Sequence, residues 1–189
     1  MSTLDLSKDS KRRPVELVSD VALSEDAVEM LAESPNTLSY IRALCEREMF
    51  DDALLTLART LPKQYAIVWA AKCVEDAVSG ELQFQDRACF DLARKWLNGP
   101  NEKLRRAAME AAEERDFDGQ YAWLAAAVGF SGGSLAPANQ AEVPPPQNLT
   151  AVAVSACLLS LASQNDEEFV EKANQIIDRG LAMAAIPGS

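Results

Sequence analysis

From Ser24 onward the apolar residues of this chain recur every three or four positions, in short segments that Pro, Gly or Asn repeatedly cut off. That period gathers apolar side chains on one face of an α-helix, whereas a strand facing a core alternates with period two. No period-two run flanked by hairpin turns occurs in the chain. The expected class is therefore all-α, with roughly seven to nine antiparallel helices in a globular bundle or a short helical-hairpin solenoid. The self-similarity at about 34 residues that marks a tetratricopeptide array is absent.

The punctuation sets the segments. Ser24, Glu25 and Asp26 offer a cap and an acidic first turn to a helix carrying Val28 and Leu31, which Ser34-Pro35 ends. Thr37 is positioned to cap the next, whose stripe is Leu38, Ile41, Leu44 and Cys45. A third starts near Asp51 and Asp52 and stops at Pro62, and the broadly apolar run Tyr65 to Val78 reads as the central helix. Another opens at Asp86 and is stopped by Asn98-Gly99-Pro100. The helix from about Glu102 to Arg115 is rich in Ala and charge, so only Leu104, Ala108, Met109 and Ala112 need burial. Asp118 then heads an apolar helix ending at Phe130, and two further helices follow from about Leu149 and behind Asp166.

Between Ser131 and Asn148 the helical period fails. Two glycines and four prolines in the stretch SGGSLAPANQAEVPPPQN rule out continuous helix, and Pro144 to Pro146 favour polyproline II. A connection of this length without regular structure is unusual in a compact domain, and such loops often carry function. The candidate partner-binding residues are accordingly Ser131, Gly132, Gly133, Ser134, Leu135, Pro137, Pro144, Pro145 and Pro146. Residues 1–22 are polar and read as a disordered tail, leaving 23–186 as one helical domain containing the loop 131–148.

Charge narrows the partners. With 18 basic and 29 acidic residues the net charge is -11, which opposes nucleic acid and anionic membranes and favours basic partners or substrates. The cluster Lys8, Lys11, Arg12 and Arg13 is followed by Pro14 and Glu16 rather than an apolar run, so it is not a secretion signal. The apolar stretches fall short of the roughly 20 residues a spanning helix needs, and a cytoplasmic protein without membrane insertion is expected. Cys45, Cys73, Cys89 and Cys157 form no CxxC pair and sit among apolar residues, which points to burial as free thiols.

Catalytic options are few. The chain contains 0 histidines, which removes imidazole bases, the usual serine and cysteine triads and most transition-metal sites. Gly132-Gly133 follows a helix and lacks a phosphate-binding lysine. The remaining enzymatic candidate is Glu167, Glu168 and Glu171, whose spacing would put three carboxylates on one helical face able to hold Mg²⁺. This resembles the EExxE half of the all-helical nucleotide pyrophosphohydrolases. The second half of that pattern, ExxD, is missing, since only Asp178 follows. Trp69, Trp96 and Trp123 recur at equal spacing but lie among apolar neighbours, as core residues do. Lys103, Arg105 and Arg106 form a small basic patch offset by Glu110, Glu113 and Glu114 on the same helix.

The wording AWLAAAVGFSGGSLAP (122–137), VPPPQNLTA (143–151) and LPKQYAIVWAAKCVEDA (61–77) resembles an uncharacterised bacterial domain family associated with type VI secretion gene neighbourhoods, over residues 40 to 185. The resemblance transfers no catalytic residue. It implies an accessory, adaptor or chaperone-like protein whose partner is a secretion-system component or effector. The leading expectation is thus a non-catalytic protein-binding module without cofactor or resident metal. The alternatives are a Mg²⁺-dependent helical hydrolase acting on nucleotides and a structural homo-oligomerisation domain.

Overall fold

A computed structural model describes residues 14–137 and 139–184, except the side chains of Glu16 and Leu17. Among them the chain forms a single turn of helix, α1 (Pro14–Leu17), and nine longer α-helices. These are α2 (Glu25–Leu31), α3 (Thr37–Glu46), α4 (Phe50–Thr60), α5 (Lys63–Ala77), α6 (Phe84–Asn98), α7 (Glu102–Glu114), α8 (Gly119–Gly129), α9 (Leu149–Ala162) and α10 (Phe169–Ala184). A 3₁₀ turn, Asp166–Glu168, precedes α10, and the described residues contain no strand. The all-α class is as expected. Of the two architectures, the globular bundle is the one found: α4 packs against both α9 and α10, closing early chain onto late chain, which a solenoid built from neighbouring repeats does not do.

The packing axis is the α8–α9 pair. Both helices are apolar around their circumference, the pattern of a helix enclosed on all sides. Ala122, Ala125, Ala126 and Ala127 on α8 and Ala151, Ala153 and Cys157 on α9 are buried, and such small side chains let helix backbones approach closely. Around them α5, α6 and α7 pack on α8, while α4, α5 and α10 pack on α9. The expected central helix, α5, touches both members of the pair and is one of its flanks.

Local chemistry fixes the flanks. Ser24 caps α2 by accepting from the Ala27 amide at 3.2 Å, and its own amide and hydroxyl donate to the two carboxylate oxygens of Asp52 at 2.9 and 2.8 Å. Helix α3 is capped by Asn36, which accepts from Ser39 N; Thr37, expected as the cap, is the first helical residue and is buried. The buried faces of α2 and α3 are shifted from expectation: Val28 and Leu38 are exposed and Ala27, Met30 and Tyr40 are inside, while Ile41 and Leu44 are buried as expected. The cause is visible at Tyr40, whose hydroxyl donates to Ala27 O at 2.7 Å and turns this face inward. Burial and the nearby Asp52 carboxylate push the Tyr40 hydroxyl up to about 12.

Trp69 on α5 is buried, and its indole N–H donates to Ile176 O of α10 at 3.0 Å. The approach depends on Gly180, where a Cβ would stand 2.7 Å from the Trp69 ring and from Leu57. Of the expected tail 1–22, residues 1–13 lie outside the described residues. Residues 14–22 lie on the bundle: Val18 is buried, Asp20 makes a two-pronged ion pair with Arg59 of α4 (2.9 and 3.1 Å), and Asn148 Nδ2 donates to Asp20 O at 2.7 Å.

Candidate functional site

Helix α7 and the chain that leaves α8 enclose an open cleft of about 570 Å³. Its walls are Arg105, Arg106, Met109, Glu110 and Glu113 of α7, Phe117 and Phe130 at the two ends of α8, and Ser134, Leu135 and Pro137 of the loop.

Arg105 builds the loop side. It was expected to be solvated, yet only 4% of its surface is exposed. Its guanidinium donates to both Glu102 carboxylate oxygens (2.6 and 2.7 Å), to Gly129 O at the end of α8 and to Ser134 O in the loop (2.8 Å). Arg106 donates to Glu102 at 2.7 Å and to Ala136 O at 2.9 Å. Two arginines one residue apart thus hold loop carbonyls to a rigid helix. A planar guanidinium with several donors in fixed directions suits this better than lysine. Hydrogen bonds from Arg105, with Arg106 adding to them, hold the Glu102 carboxyl below its ordinary value.

The loop is closed on itself as well. Ser134 Oγ accepts from Ala136 N and Val143 N, both at 3.0 Å, and Leu135 N donates to Val143 O at 2.8 Å. Thr150 Oγ1 donates to Phe130 O at 2.8 Å, tying the first turn of α9 to the last of α8. Gly133 has φ +64°, and a Cβ there would stand 2.6 Å from Glu102 Oε2 and 2.7 Å from Arg105 Nε. Both conformation and space therefore require glycine.

The opposite wall begins where α7 ends. Asp116 N bonds Glu113 O and Phe117 N bonds Ala112 O, the double closure of a Schellman motif. Asp116 stands at φ 52° where glycine is usual, and Phe117 follows at φ 54°, an uncommon conformation for a bulky side chain. Its ring lies 5.5 Å from that of Trp123, which holds it in place.

Of the residues expected to bind a partner, Ser134, Leu135 and Pro137 line the cleft and Gly133 shapes it. Ser131 turns back to donate to Val128 O at 2.7 Å, and Gly132 is half-buried beside it. Pro145 is buried while Pro144 and Pro146 are exposed, and none of the three lines the cleft. The three carboxylates do not lie on one α-helix. Glu167 and Glu168 lie in the 3₁₀ turn, Glu171 lies in α10 accepting from Gln175, and all three are exposed. Among the described residues no group of His, Cys, Asp or Glu side chains is arranged to hold a metal ion. Trp69 and Trp96 are buried and Trp123 is half-buried, so they form no stacking platform. The four cysteines are free, and burial pushes the Cys73 and Cys89 thiols up to about 11.

What the sequence reading missed is the pair Arg105 and Glu102 and the aromatic wall. A signal was present: Arg105 shares the stripe of Ala108 and Ala112 at helical spacing, so α7 could not bury those alanines without burying the arginine.

A family model for a family of unknown function (DUF6931) matches residues 40–184. The chain belongs to that family. The match runs from within α3 to the end of α10 and includes both walls of the cleft. It agrees with the resemblance to an uncharacterised domain drawn from the wording of the sequence. No curated protein and no solved structure matches the chain.

Proposed function

We propose that this member of DUF6931 is a non-catalytic protein-binding adaptor or chaperone-like accessory protein whose contact surface is the cleft between α7 and the loop. The observation that carries the reading is the buried Arg105, which ties α7 to the end of α8 through Gly129 O and to the loop through Ser134 O and so sets Leu135 and Pro137 over the cleft. A loop held in place before binding loses little entropy when a partner arrives. Met109, Phe117, Phe130 and Leu135 supply an apolar floor of the kind that anchors a partner's side chain. We assign the partner to a bacterial type VI secretion system on the resemblance described above. We assign the site of action to the cytoplasm, in agreement with four free cysteines. No helix among the described residues is long and apolar enough to cross a membrane.

Leu135 is 41% exposed, so Leu135→Asp leaves folding almost unchanged while placing a charge at the cleft. Affinity capture of tagged protein in its native host, wild type beside Leu135→Asp, tests the reading. The expected result is one stoichiometric companion that the variant loses at unchanged melting temperature. Equal recovery with both proteins would remove the cleft from the contact surface. Recovery of the chain alone would turn the reading toward self-assembly.

A further inference from the structure

We infer that the cleft takes a segment of a partner protein in which an apolar side chain lies within a few residues of a lysine or arginine; this rests on the binding reading above and adds its chemistry. The charges around the cleft are of two kinds. Arg105 and Arg106 are committed internally, the first to Glu102, Gly129 O and Ser134 O, the second to Glu102 and Ala136 O. Glu110 and Glu113 are exposed on the same helix, and neither takes part in an ion pair among the described residues. The charge left for a partner is therefore negative, within a protein whose net charge is -11. An acidic segment would be repelled and a basic one steered inward.

Between the arginines and the glutamates lies the apolar floor. Met109 adapts to varied shapes because its thioether chain is unbranched and polarizable. Phe117 is held at φ 54° against Trp123, and strained backbone of this sort gathers at ligand clamps. A cleft of about 570 Å³ holds a few side chains rather than a whole docked helix. One apolar anchor with a neighbouring cation fills the floor and meets the Glu110 and Glu113 carboxylates.

Selection from a displayed library of random dodecapeptides, with the full chain as bait, reads the preference directly. The expected peptides pair Leu, Met or Phe with Lys or Arg within three positions, and they are lost with Leu135→Asp. Binding of a selected peptide should weaken about three- to tenfold in a Glu110→Gln, Glu113→Gln double variant, with the difference shrinking at high salt. The charge-reversed Glu110→Lys, Glu113→Lys protein should select acidic peptides instead. Both glutamates are exposed, so these variants fold.

Peptides that need Leu135 but show no basic bias would overturn this inference and leave the binding reading standing. No selectable peptide at all would remove both. A last variant, with Lys8, Lys11, Arg12 and Arg13 changed to Ser, should bind the selected peptide as the wild type does. Tenfold tighter binding would mean that the chain's own basic stretch occupies the cleft, and would overturn the assignment to a partner.

Discussion

Leu124 in α8 and Arg105 in α7 are both buried, but their surroundings differ in kind. Leu124 belongs to an alanine-rich core formed by two helices apolar on every side, where the stabilising force is nondirectional and grows with the area removed from water. Arg105 is surrounded by oxygen acceptors from three places in the chain: Glu102 in its own helix, Gly129 at the end of α8 and Ser134 in the loop. Its environment works only if each donor finds its acceptor, since a buried polar group without a partner is costly. The core therefore depends on volume and buried area, and the loop wall of the cleft on the direction of each hydrogen bond.

The difference can be broken or sharpened by substitution. Leu124→Ala should cost about 2–5 kcal/mol and lower the urea midpoint of the whole molecule, because its cavity lies in the packing axis. Arg105→Ala leaves Gly129 O and Ser134 O without their donor and should cost about 2–4 kcal/mol. Here the loss should be uneven, with proteolysis inside 131–143 rising before helical circular dichroism changes. If helices and loop instead melt together in both variants, the two regions are not separable.

Gly180→Ala places a methyl group against Trp69 and Leu57 and should cost about 1–3 kcal/mol through overpacking. Its effect should resemble that of Leu124→Ala, global and cooperative, which thermal unfolding followed by near-ultraviolet circular dichroism will show.

The smallest expected effect is on pH. Because the Glu102 carboxyl is held below its ordinary value of 4.5, its contribution is complete above that pH and is lost as pH falls through the lowered folded value. Glu102 is half exposed, so solvent screening keeps the contribution below about 1 kcal/mol. Melting temperatures of wild type and Glu102→Gln should differ at pH 7 and converge as pH falls through the lowered folded value. A gap that stays constant across this range would separate Glu102 from the loop.

Much of the bundle was legible because apolar periodicity and punctuation are local. Pro62, the Asn98-Gly99-Pro100 stop and the acidic run before α10 mark helix ends within a few residues of where they lie. The shifted faces of α2 and α3 were not legible, because the hydrogen bond from Tyr40 to Ala27 O links residues 13 apart in sequence. The cleft was half legible. Glycine and proline announced the break after Phe130, which drew attention to Ser134, Leu135 and Pro137, and these three line the cleft. The residues that hold them were not, since Arg105 reaches acceptors 24 and 29 positions away. The four-residue spacing of Glu102 and Arg106 did mark an ion pair that forms, at 2.7 Å, whereas Arg106 has none with Glu110 among the described residues.

A loop fixed to α7 before any partner arrives is the claim on which the functional reading depends, and amide hydrogen exchange of the unliganded protein tests it most directly. The Leu135 amide donates to Val143 O, and the Val143 amide donates to Ser134 Oγ. Both should exchange at least tenfold more slowly than an unstructured chain at the same pH, and Arg105→Ala should abolish that protection while amides within α9 retain theirs. Exchange of Leu135 and Val143 at unstructured rates in the wild-type protein would contradict the account, because the cleft would then have no preformed loop wall to offer.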